Sequence, residues 1–427
     1  MKPRILTRGE HCISRKNISK NALKVLYRLN EAGYEGYLVG GAVRDLLLNK
    51  SPKDFDVATN ASPDQVKELF KNCRLIGRRF RLAHVVFGRD IIEVATFRAS
   101  HSEGDGGQIG DTGRIVRDNV YGGTIADDAV RRDFTVNALF YDISDFSVID
   151  YYGGVEDLEN SELRFIGEAA ARVIEDPVRA LRAARFSAKL DFKLHPQTVS
   201  AIRQHSEKLS EIPAARLYDE VLKLLQSGYG LRSFEKVLEL DLLQYLFPLA
   251  DRRLKNDDQY TRSMIDLALL NTDKRILADQ PVTPAYIYAV MLWPSVSECA
   301  AALEDQGQPP LLAIRAAADE LVPEQLAVTS LPRRFSVTMR EIWNLQPKLL
   351  RTKGKKAKLM LSNPRFRAAY DFLCLRAEAG EDLQEYCDIW EKMQQSPEAQ
   401  EAIAAARSKA RSARPKKRPA RRRKKAD

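Results

Sequence analysis

Two aspartates, Asp54 and Asp56, are separated by a single residue and follow shortly after a pair of glycines, Gly40 and Gly41. On a strand, side chains two positions apart project from the same face. Two carboxylates placed side by side repel each other unless a cation lies between them, and hard divalent cations prefer carboxylate oxygens. The pair therefore predicts a site for two Mg²⁺ ions, with Mn²⁺ as a substitute, that clamp the oxygens of a displacement reaction.

The two glycines predict a phosphate site beside these aspartates. Gly-Gly lets the backbone approach a ligand closely, and the apolar residues Val43, Leu46 and Leu47 predict a helix directly after it. A glycine turn that leads into a helix N-terminus can bind phosphate. Phosphates close to metals indicate a nucleoside triphosphate, whose departing pyrophosphate would also meet Arg44. The ordinary alternatives are a solvated Asp-x-Asp turn and a surface contact between Arg44 and Asp45.

Three segments resemble, in order, the motifs of the class II tRNA nucleotidyltransferase and bacterial poly(A) polymerase family, within the DNA polymerase beta superfamily. They are Leu38–Leu48 with Asp54–Asp56, Arg131–Leu139, and Glu175–Phe186. The resemblance implies an α+β fold, in which a small mixed-sheet nucleotidyltransferase head like that of DNA polymerase beta precedes an elongated all-helical neck and body. The alternation of apolar runs with helical patterns predicts the same architecture.

The pattern along the chain predicts five segments. They are a flexible N-terminal extension at 1–18, a catalytic head at 19–165, a helical neck with nucleotide-recognition and RNA-binding helices at 166–248, a helical RNA-binding body at 249–404, and a disordered Lys/Arg-rich tail at 405–427. The chain has 68 Lys and Arg residues and 58 Asp and Glu residues. Twelve of those basic residues but only one acidic residue lie in 407–427, so the remainder is nearly neutral. Such a tail favours polyanionic partners, and Arg421, Arg422 and Arg423 are expected to bind RNA.

Several function classes are disfavoured by composition. The five cysteines are scattered without a Cys-x-x-Cys pair, and the five histidines form no His-Glu-x-x-His motif, so zinc chemistry is not expected. An odd, scattered set of cysteines indicates reduced thiols. No apolar run reaches the ~18 residues of a membrane span, and the N-terminus lacks the apolar region of a secretion signal. We therefore expect a cytoplasmic protein without a transmembrane segment.

A two-metal site needs a further carboxylate to fix both ions and orient the incoming 3′-hydroxyl. Glu93 is the only charge within the apolar run Ile91–Phe97, and a charge in a buried strand must be paired or bound to a cation. The alternative is an edge-strand position that faces water. The family resemblance makes Glu93 the third metal ligand.

A second candidate carboxylate, Asp133, lies in the motif Arg131–Leu139. Asp133 is predicted to be a catalytic residue, and could instead orient Arg131 or Arg132 toward phosphate. Arg132 and Arg98, which directly follows the strand of Glu93, are predicted to contact the nucleotide.

Arg179, Arg182 and Arg185 recur at every third position and form a slanted cationic ridge on a helix. Asp176 precedes Arg179 by three residues and is expected to hold its guanidinium in plane. A guanidinium held in this way can read a base edge with two hydrogen bonds. The alternative is a solvated helix face with local ion pairs, but the resemblance favours recognition of adenine by Arg179 and Arg182.

Two activities share these motifs: template-independent addition of AMP from ATP to RNA 3′ ends, which promotes RNA turnover, and CCA addition to tRNA with CTP and ATP. Leu75–Val85 resembles the segment that marks bacterial poly(A) polymerases within the family, and its Arg78, Arg79 and Arg81 are expected to bind RNA. The basic tail favours the same activity, because electrostatic attraction suits RNA substrates without one common fold. Expected partners are RNA 3′ ends, ATP and proteins of the RNA-decay machinery.

Two further classes fit the chain less well. A non-catalytic RNA-binding adaptor would not need both aspartates, which are intact at 54 and 56. A small-molecule nucleotidyltransferase of the antibiotic-modifying kind would need neither the long helical body nor the cationic tail.

Overall fold

The computed structural model describes residues 2–77, 81–98, 107–109, 115–118 and 121–396. The chain forms two compact units, Met1–Ile212 with Glu235–Leu242, and Pro213–Phe234 with Leu243–Asp427. The predicted RNA-binding residues Arg78 and Arg79 and the whole tail, with Arg421, Arg422 and Arg423, lie outside the described residues. The boundaries of the five predicted segments remain predictions.

A mixed eight-stranded sheet forms the centre of the first unit, in the order β1-β10-β9-β2-β3-β6-β5-β4. β3 and β6 are parallel, whereas the other neighbours in this sheet are antiparallel. Two small sheets pair β7 with β8 and β11 with β12. The described strands are β1 (Arg4–Leu6), β2 (Gly36–Val39), β3 (Asp56–Thr59), β4 (Cys73–Ile76), β5 (Leu82–Phe87), β6 (Asp90–Thr96), β7 (Gly107–Ile109), β8 (Ile115–Asp118), β9 (Leu139–Asp142), β10 (Val148–Asp150), β11 (Glu162–Leu163) and β12 (Lys193–Leu194).

Helices cover one face of this sheet because their apolar stripes match its buried side. The helix α1 buries Ala22, Val25, Leu26 and Leu29 and packs against β2, β3 and β6. The helix α3 begins with Pro63 after a reciprocal Ser62–Gln65 cap and packs against β4, β5 and β6. The helices of this part are α1 (Lys20–Glu31), α2 (Gly41–Leu47), α3 (Pro63–Leu69), α4 (Ile125–Val130), α5 (Gly154–Glu159), α6 (Ala169–Glu175), α7 (Val178–Leu190) and α8 (Pro196–His205).

The structure differs from the expectation of a flexible N-terminal extension at 1–18. β1 pairs with β10 at the edge of the sheet, and Ile13 and Ile18 are buried. Ladder hydrogen bonds and two buried isoleucines offset the conformational entropy lost by ordering this polar segment.

The rest of the chain is helical where the structure describes it, as the sequence predicted. Its helices are α9 (Ala214–Leu225), α10 (Gly230–Glu239), α11 (Pro248–Lys255), α12 (Gln259–Leu277), α13 (Pro284–Asp305), α14 (Pro310–Val328), α15 (Arg333–Leu349), α16 (Lys355–Met360), α17 (Phe366–Glu378) and α18 (Gln384–Gln395). α13 is long and apolar enough to cross a membrane by composition, but 56% of its apolar window is buried inside the protein. Trp343 in α15 donates to the Ala289 carbonyl of α13 at 3.2 Å, as expected of a core helix.

Candidate active site

The predicted metal ligands lie on the open face of the sheet. The parallel register of β3 and β6 pairs Asp56 with Glu93, so both side chains project from the same face. β3 begins at Asp56, so Asp54 lies in the preceding loop and not on the strand as predicted. Both aspartates are exposed. The three predicted ligands therefore stand at the start of β3 and on its neighbour.

Two environments for Glu93 were considered from the sequence, a buried position in a strand and a water-facing position on an edge strand, and the structure shows neither. β6 lies inside the sheet between β3 and β5, yet the Glu93 side chain is 41% exposed. Ile92 and Val94 on either side of it are buried, as strand alternation requires. His84 on β5 stands opposite Glu93, and its Nε2 lies 3.3 Å from Glu93 Oε2.

The carboxylates of Asp54, Asp56 and Glu93 lie close enough to repel one another. Desolvation, together with the carboxylates of Glu93 and Asp54, raises the pKa of Asp56 to about 6, while Arg132 and His84 act in the opposite direction. Among the residues that the structure describes, no three His, Cys, Asp or Glu side chains already form a metal-binding group. An all-carboxylate set on an open face nevertheless fits hard divalent cations, which prefer oxygen donors and relieve such repulsion.

The glycine turn lies directly beside an arginine. Gly40 has a φ of +69°, a conformation that favours glycine. A Cβ at Gly40 would lie 3.3 Å from Arg132 Nη1 and 3.5 Å from the Asn137 carbonyl oxygen. Gly41 is the first residue of α2. The absence of side chains here leaves room for the Arg132 guanidinium next to the backbone.

The predicted pyrophosphate contact, Arg44, is buried and engaged with other side chains. It is 2% exposed, and its Nε and Nη2 donate to Asp45 Oδ1 at 2.8 and 2.7 Å. Its Nη1 donates to Asn137 Oδ1 at 2.6 Å. The geometry gives Arg44 a role within the fold of the turn and not a position open to phosphate.

Asp133 occupies the centre of a hydrogen-bonded chain. Asn137 Nδ2 donates to Asp133 Oδ1 at 3.1 Å, and Arg182 Nε donates to Asp133 Oδ2 at 2.8 Å. Burial acts to raise the pKa of Asp133, but Arg182, Asn137 and the Phe134 amide hold this pKa below its ordinary value. Asp133 is therefore ionised and anchors Arg182, instead of lying among the exposed carboxylates.

The structure corrects the predicted partner of Arg179. Arg179 Nη1 donates to Glu175 Oε2 at 2.5 Å and to the Arg172 carbonyl at 2.9 Å. Asp176 follows α6 with an extended backbone, and its carbonyl accepts the Arg179 amide at 2.9 Å. The helix is interrupted at Asp176 and Pro177, so helical spacing from Asp176 does not apply.

Six arginines, here called the arginine cluster, come together around the glycine turn and α7; they are Arg98, Arg131, Arg132, Arg172, Arg179 and Arg182. Asp128, itself buried, lies 2.7 Å from Arg132 Nη2 and 3.7 Å from Arg98 Nε. Burial and neighbouring guanidinium groups lower the pKa of Arg131 to about 10 and that of Arg172 to about 10. Both pKa values lie well above neutral pH, so Arg131 and Arg172 are charged there, and a cluster of six arginines is suited to a polyanion.

The predicted RNA contact Arg81 is exposed and lies 3.4 Å from Asp64 of α3. An exposed pair of this kind contributes little to stability, so the fold does not need this contact. Arg185 stacks over Phe186, with its guanidinium carbon 4.6 Å from the ring centre.

Sequence reasoning missed Asn137, Glu175, Asp128, Arg172 and His84. Glu175 and Asn137 lie inside the motifs that carry the resemblance, which is the one signal that could have drawn attention to them. Asp128 lies four residues before Arg132, and Arg172 lies three residues before Glu175, so helical spacing was a local signal for both pairs.

Three family descriptions match the chain. They are the poly(A) polymerase head domain at residues 36–164, the probable RNA and SrmB-binding site of polymerase A at residues 191–254, and the arginine-rich C-terminus of polymerase A at residues 306–425. Poly(A) polymerase I of Escherichia coli O157:H7 is 48% identical over 400 residues, which cover 92% of this chain and 86% of that protein. The chain belongs to the poly(A) polymerase I family. The Haemophilus influenzae member is 43% identical over 397 residues, covering 91% of this chain and 88% of that protein.

CCA-adding enzymes share the fold and part of the sequence. The enzyme of Lactobacillus johnsonii is 38% identical over 221 residues, 52% of this chain and 54% of that protein. The solved CCA-adding enzyme of Bacillus stearothermophilus with CTP has a TM-score of 0.59 at 24% identity, covering 90% of this chain and 82% of that one. The Thermotoga maritima enzyme with tRNA has a TM-score of 0.59 at 21% identity, covering 92% and 85%. The predicted mixed-sheet head and helical body are confirmed.

Proposed function

We propose that this chain is a polynucleotide adenylyltransferase, which adds AMP from ATP to RNA 3′ ends without a template and promotes RNA turnover. The observation that carries the proposal is 48% identity over 92% of the chain to poly(A) polymerase I, with both aspartates intact. The sequence of the CCA-adding enzyme of Lactobacillus johnsonii matches only 52% of this chain.

The reaction is a displacement at the α-phosphorus of ATP. The RNA 3′-oxygen forms a bond to this phosphorus, the bond to the α,β-bridging oxygen breaks, and pyrophosphate leaves with that electron pair. The hydroxyl proton passes to solvent. Because the protein forms no bond itself, its residues act by positioning and by electrostatic stabilisation.

Asp54, Asp56 and Glu93 are the proposed metal ligands. Two Mg²⁺ ions bound there, or Mn²⁺ in their place, would activate the 3′-hydroxyl and neutralise charge on the α-phosphate. The carboxylates on the open sheet face leave the reacting group accessible to a polymer. The mutual repulsion of these carboxylates supports cation binding and does not by itself assign which ion binds.

The arginine cluster is the proposed triphosphate site. Arg132 lies beside Gly40 of the glycine turn, and Asp128 links it to Arg98. Arg179 and Arg182 on α7 are proposed to meet the base. Glu175 orients Arg179 and Asp133 orients Arg182, which supports a positioning role for both carboxylates. Asp176 ends α6 and sets the turn into α7.

RNA contacts are proposed for Arg81, for residues 191–254, and for the basic tail. The description matched at 191–254 concerns RNA and a protein partner, which supports an association with the RNA-decay machinery. We place the enzyme in the cytoplasm, where RNA and ATP are both available.

The proposal is tested by supplying ATP, CTP, GTP and UTP separately, with unstructured RNA and with tRNA lacking its CCA end. We expect long AMP tails on unstructured RNA with ATP alone. Addition limited to CMP and AMP on tRNA would identify a CCA-adding enzyme. Binding of RNA without incorporation of any nucleotide would identify an adaptor.

A further inference from the structure

A row of charged residues continues across the sheet beyond the predicted metal ligands. The registers pair Asp56 with Glu93, Glu93 with His84, and His84 with Arg74. Residues paired in this way share one face of a sheet. The row therefore runs over four strands, from the carboxylates on β3 and β6 to an imidazole on β5 and a guanidinium on the edge strand β4.

Arg74 is the outermost member and is available to a ligand. It is exposed, and no hydrogen bond or ion pair engages its side chain within the described part of the chain. Ile76 is 42% exposed on the same face of β4, opposite the partly buried Leu82. A cation beside an apolar patch suits a nucleotide, whose phosphate and base need these two surfaces.

In the order of the strands, Arg132 and Arg74 lie on opposite sides of the carboxylates. Gly40 follows β2, and Arg132 lies beside it, whereas Arg74 lies on β4; in the sheet order β2-β3-β6-β5-β4 the carboxylates are between them. In phosphoryl transfer the attacking and leaving oxygens are roughly in line on opposite sides of the phosphorus. If the triphosphate occupies the β2 side, the attacking 3′-oxygen must arrive from the β5–β4 side.

We infer that Arg74, with His84 beside Glu93, forms the subsite for the last phosphodiester of the RNA acceptor. The inference rests on the proposed function, because it assigns the acceptor side of the same reaction. Strands are spaced about 4.8 Å apart, so Arg74 lies about two strand spacings, roughly 10 Å, from Glu93. The arginine side chain is long enough to contact a phosphate bound over His84, next to the reacting 3′-end.

The test uses a pentanucleotide acceptor, which is too short to engage distant basic segments at the same time. Arg74→Ala should raise the KM for this acceptor about fivefold, since one phosphate contact is lost, while the KM for ATP stays at the wild-type value. Arg74→Lys should restore most of the acceptor affinity, and Arg74→Glu should weaken it further. Arg89→Ala is the matched control, because Arg89 is an exposed arginine in the turn between β5 and β6.

A second readout requires no turnover. Binding of the same oligonucleotide ending in 3′-deoxyadenosine is measured by fluorescence anisotropy at several salt concentrations. Loss of one contact with a single strand lowers the slope of log affinity against log salt by about 0.7. Between 50 and 200 mM salt, the wild type should therefore lose about 2.6-fold more affinity than Arg74→Ala.

The outcomes separate this inference from the proposed function. Absence of AMP transfer by the wild-type protein would refute the proposed function. Normal wild-type transfer, with Arg74→Ala and Arg89→Ala equal in acceptor KM and salt slope, would overturn the acceptor subsite alone. A rise in the KM for ATP without a change in acceptor binding would also overturn it, because Arg74 would then belong to the nucleotide site.

Discussion

Asn137 joins two charged groups that are both removed from solvent. Its Oδ1 accepts from Arg44 at 2.6 Å and its Nδ2 donates to Asp133 at 3.1 Å. Arg44 is 2% exposed and Asp133 is 9% exposed, so water cannot readily replace either bond. The change Asn137→Ala removes both bonds and leaves the two charged groups in place.

The magnitude follows from what each group retains. A hydrogen bond to a charged group contributes about 1.5–3 kcal/mol. Arg44 keeps Asp45, and Asp133 keeps Arg182 and the Phe134 amide, so the lower end of this range applies to each bond. We expect Asn137→Ala to lower the free energy of unfolding of the first unit by about 3 kcal/mol. Because Asp133 anchors Arg182, the KM for ATP should also rise.

The assay must report on the first unit. All three tryptophans, Trp293, Trp343 and Trp390, lie in the second unit, so tryptophan fluorescence reads the wrong unit. Hydrogen exchange of peptides from β9 and α7, measured by mass spectrometry, reports on the stability of the first unit. Asn72→Ala is the control, because Asn72 makes one neutral bond, to the Val86 carbonyl at 2.8 Å, on the exposed surface. If Asn137→Ala lowers the free energy of unfolding no more than Asn72→Ala does, the buried hydrogen bonds of Asn137 with Arg44 and Asp133 do not stabilise the first unit.

Four further predictions concern catalysis and binding. Asp56→Asn should abolish AMP incorporation. It should not lower the melting temperature of the metal-free protein, because it removes a carboxylate that its neighbours repel. A clearly lower melting temperature in calorimetry would indicate a structural role for Asp56. Arg179→Ala should raise the KM for ATP and reduce the preference for ATP over CTP about tenfold in a competition assay. If this preference is unchanged, the role of Arg179 is structural, through its ion pair with Glu175. Truncation after Ala406 should preserve AMP addition at saturating RNA. It should also reduce the slope of log affinity against log salt, measured with long RNA, by about 4, because each lost phosphate contact lowers that slope by about 0.7. If the full-length and truncated proteins have the same slope, the tail does not bind RNA. Inorganic triphosphate should raise the melting temperature more than sulfate of equal ionic strength, because it relieves repulsion within the arginine cluster; an equal effect of both anions would refute this.

The sequence predicted those features of the site that depend on local pattern. The resemblance assigned Asp56 and Glu93 to one site, and the structure pairs them in register. Gly40 and Gly41 were expected to bring the backbone close to a ligand, and Gly40 adopts a positive φ, which favours glycine. These inferences needed only the family motif and the small size of glycine.

The remaining features depend on long-range contacts or on a local break in structure. Arg44 looked available to phosphate, but its partner Asn137 is 93 positions away in sequence. Asp176 looked like the partner of Arg179 because helical spacing was assumed, whereas the helix is interrupted before Val178 and Glu175 takes that place. Neither the partner of a buried side chain nor the exact end of a helix can be read from spacing alone.

The charge balance of the arginine cluster limits what it can select. Among the described residues, the carboxylates of Asp128, Asp133, Glu175 and Asp176 lie near its guanidinium groups, and the arginines are proposed to bind the triphosphate by charge. ATP and CTP carry the same triphosphate, and a site that acts on charge binds both alike. Discrimination between polyadenylation and CCA addition must therefore come from groups that meet the base, which we propose are Arg179 and Arg182 on α7. On this proposal, the two carboxylates that orient these arginines should matter to nucleotide choice as much as the arginines themselves.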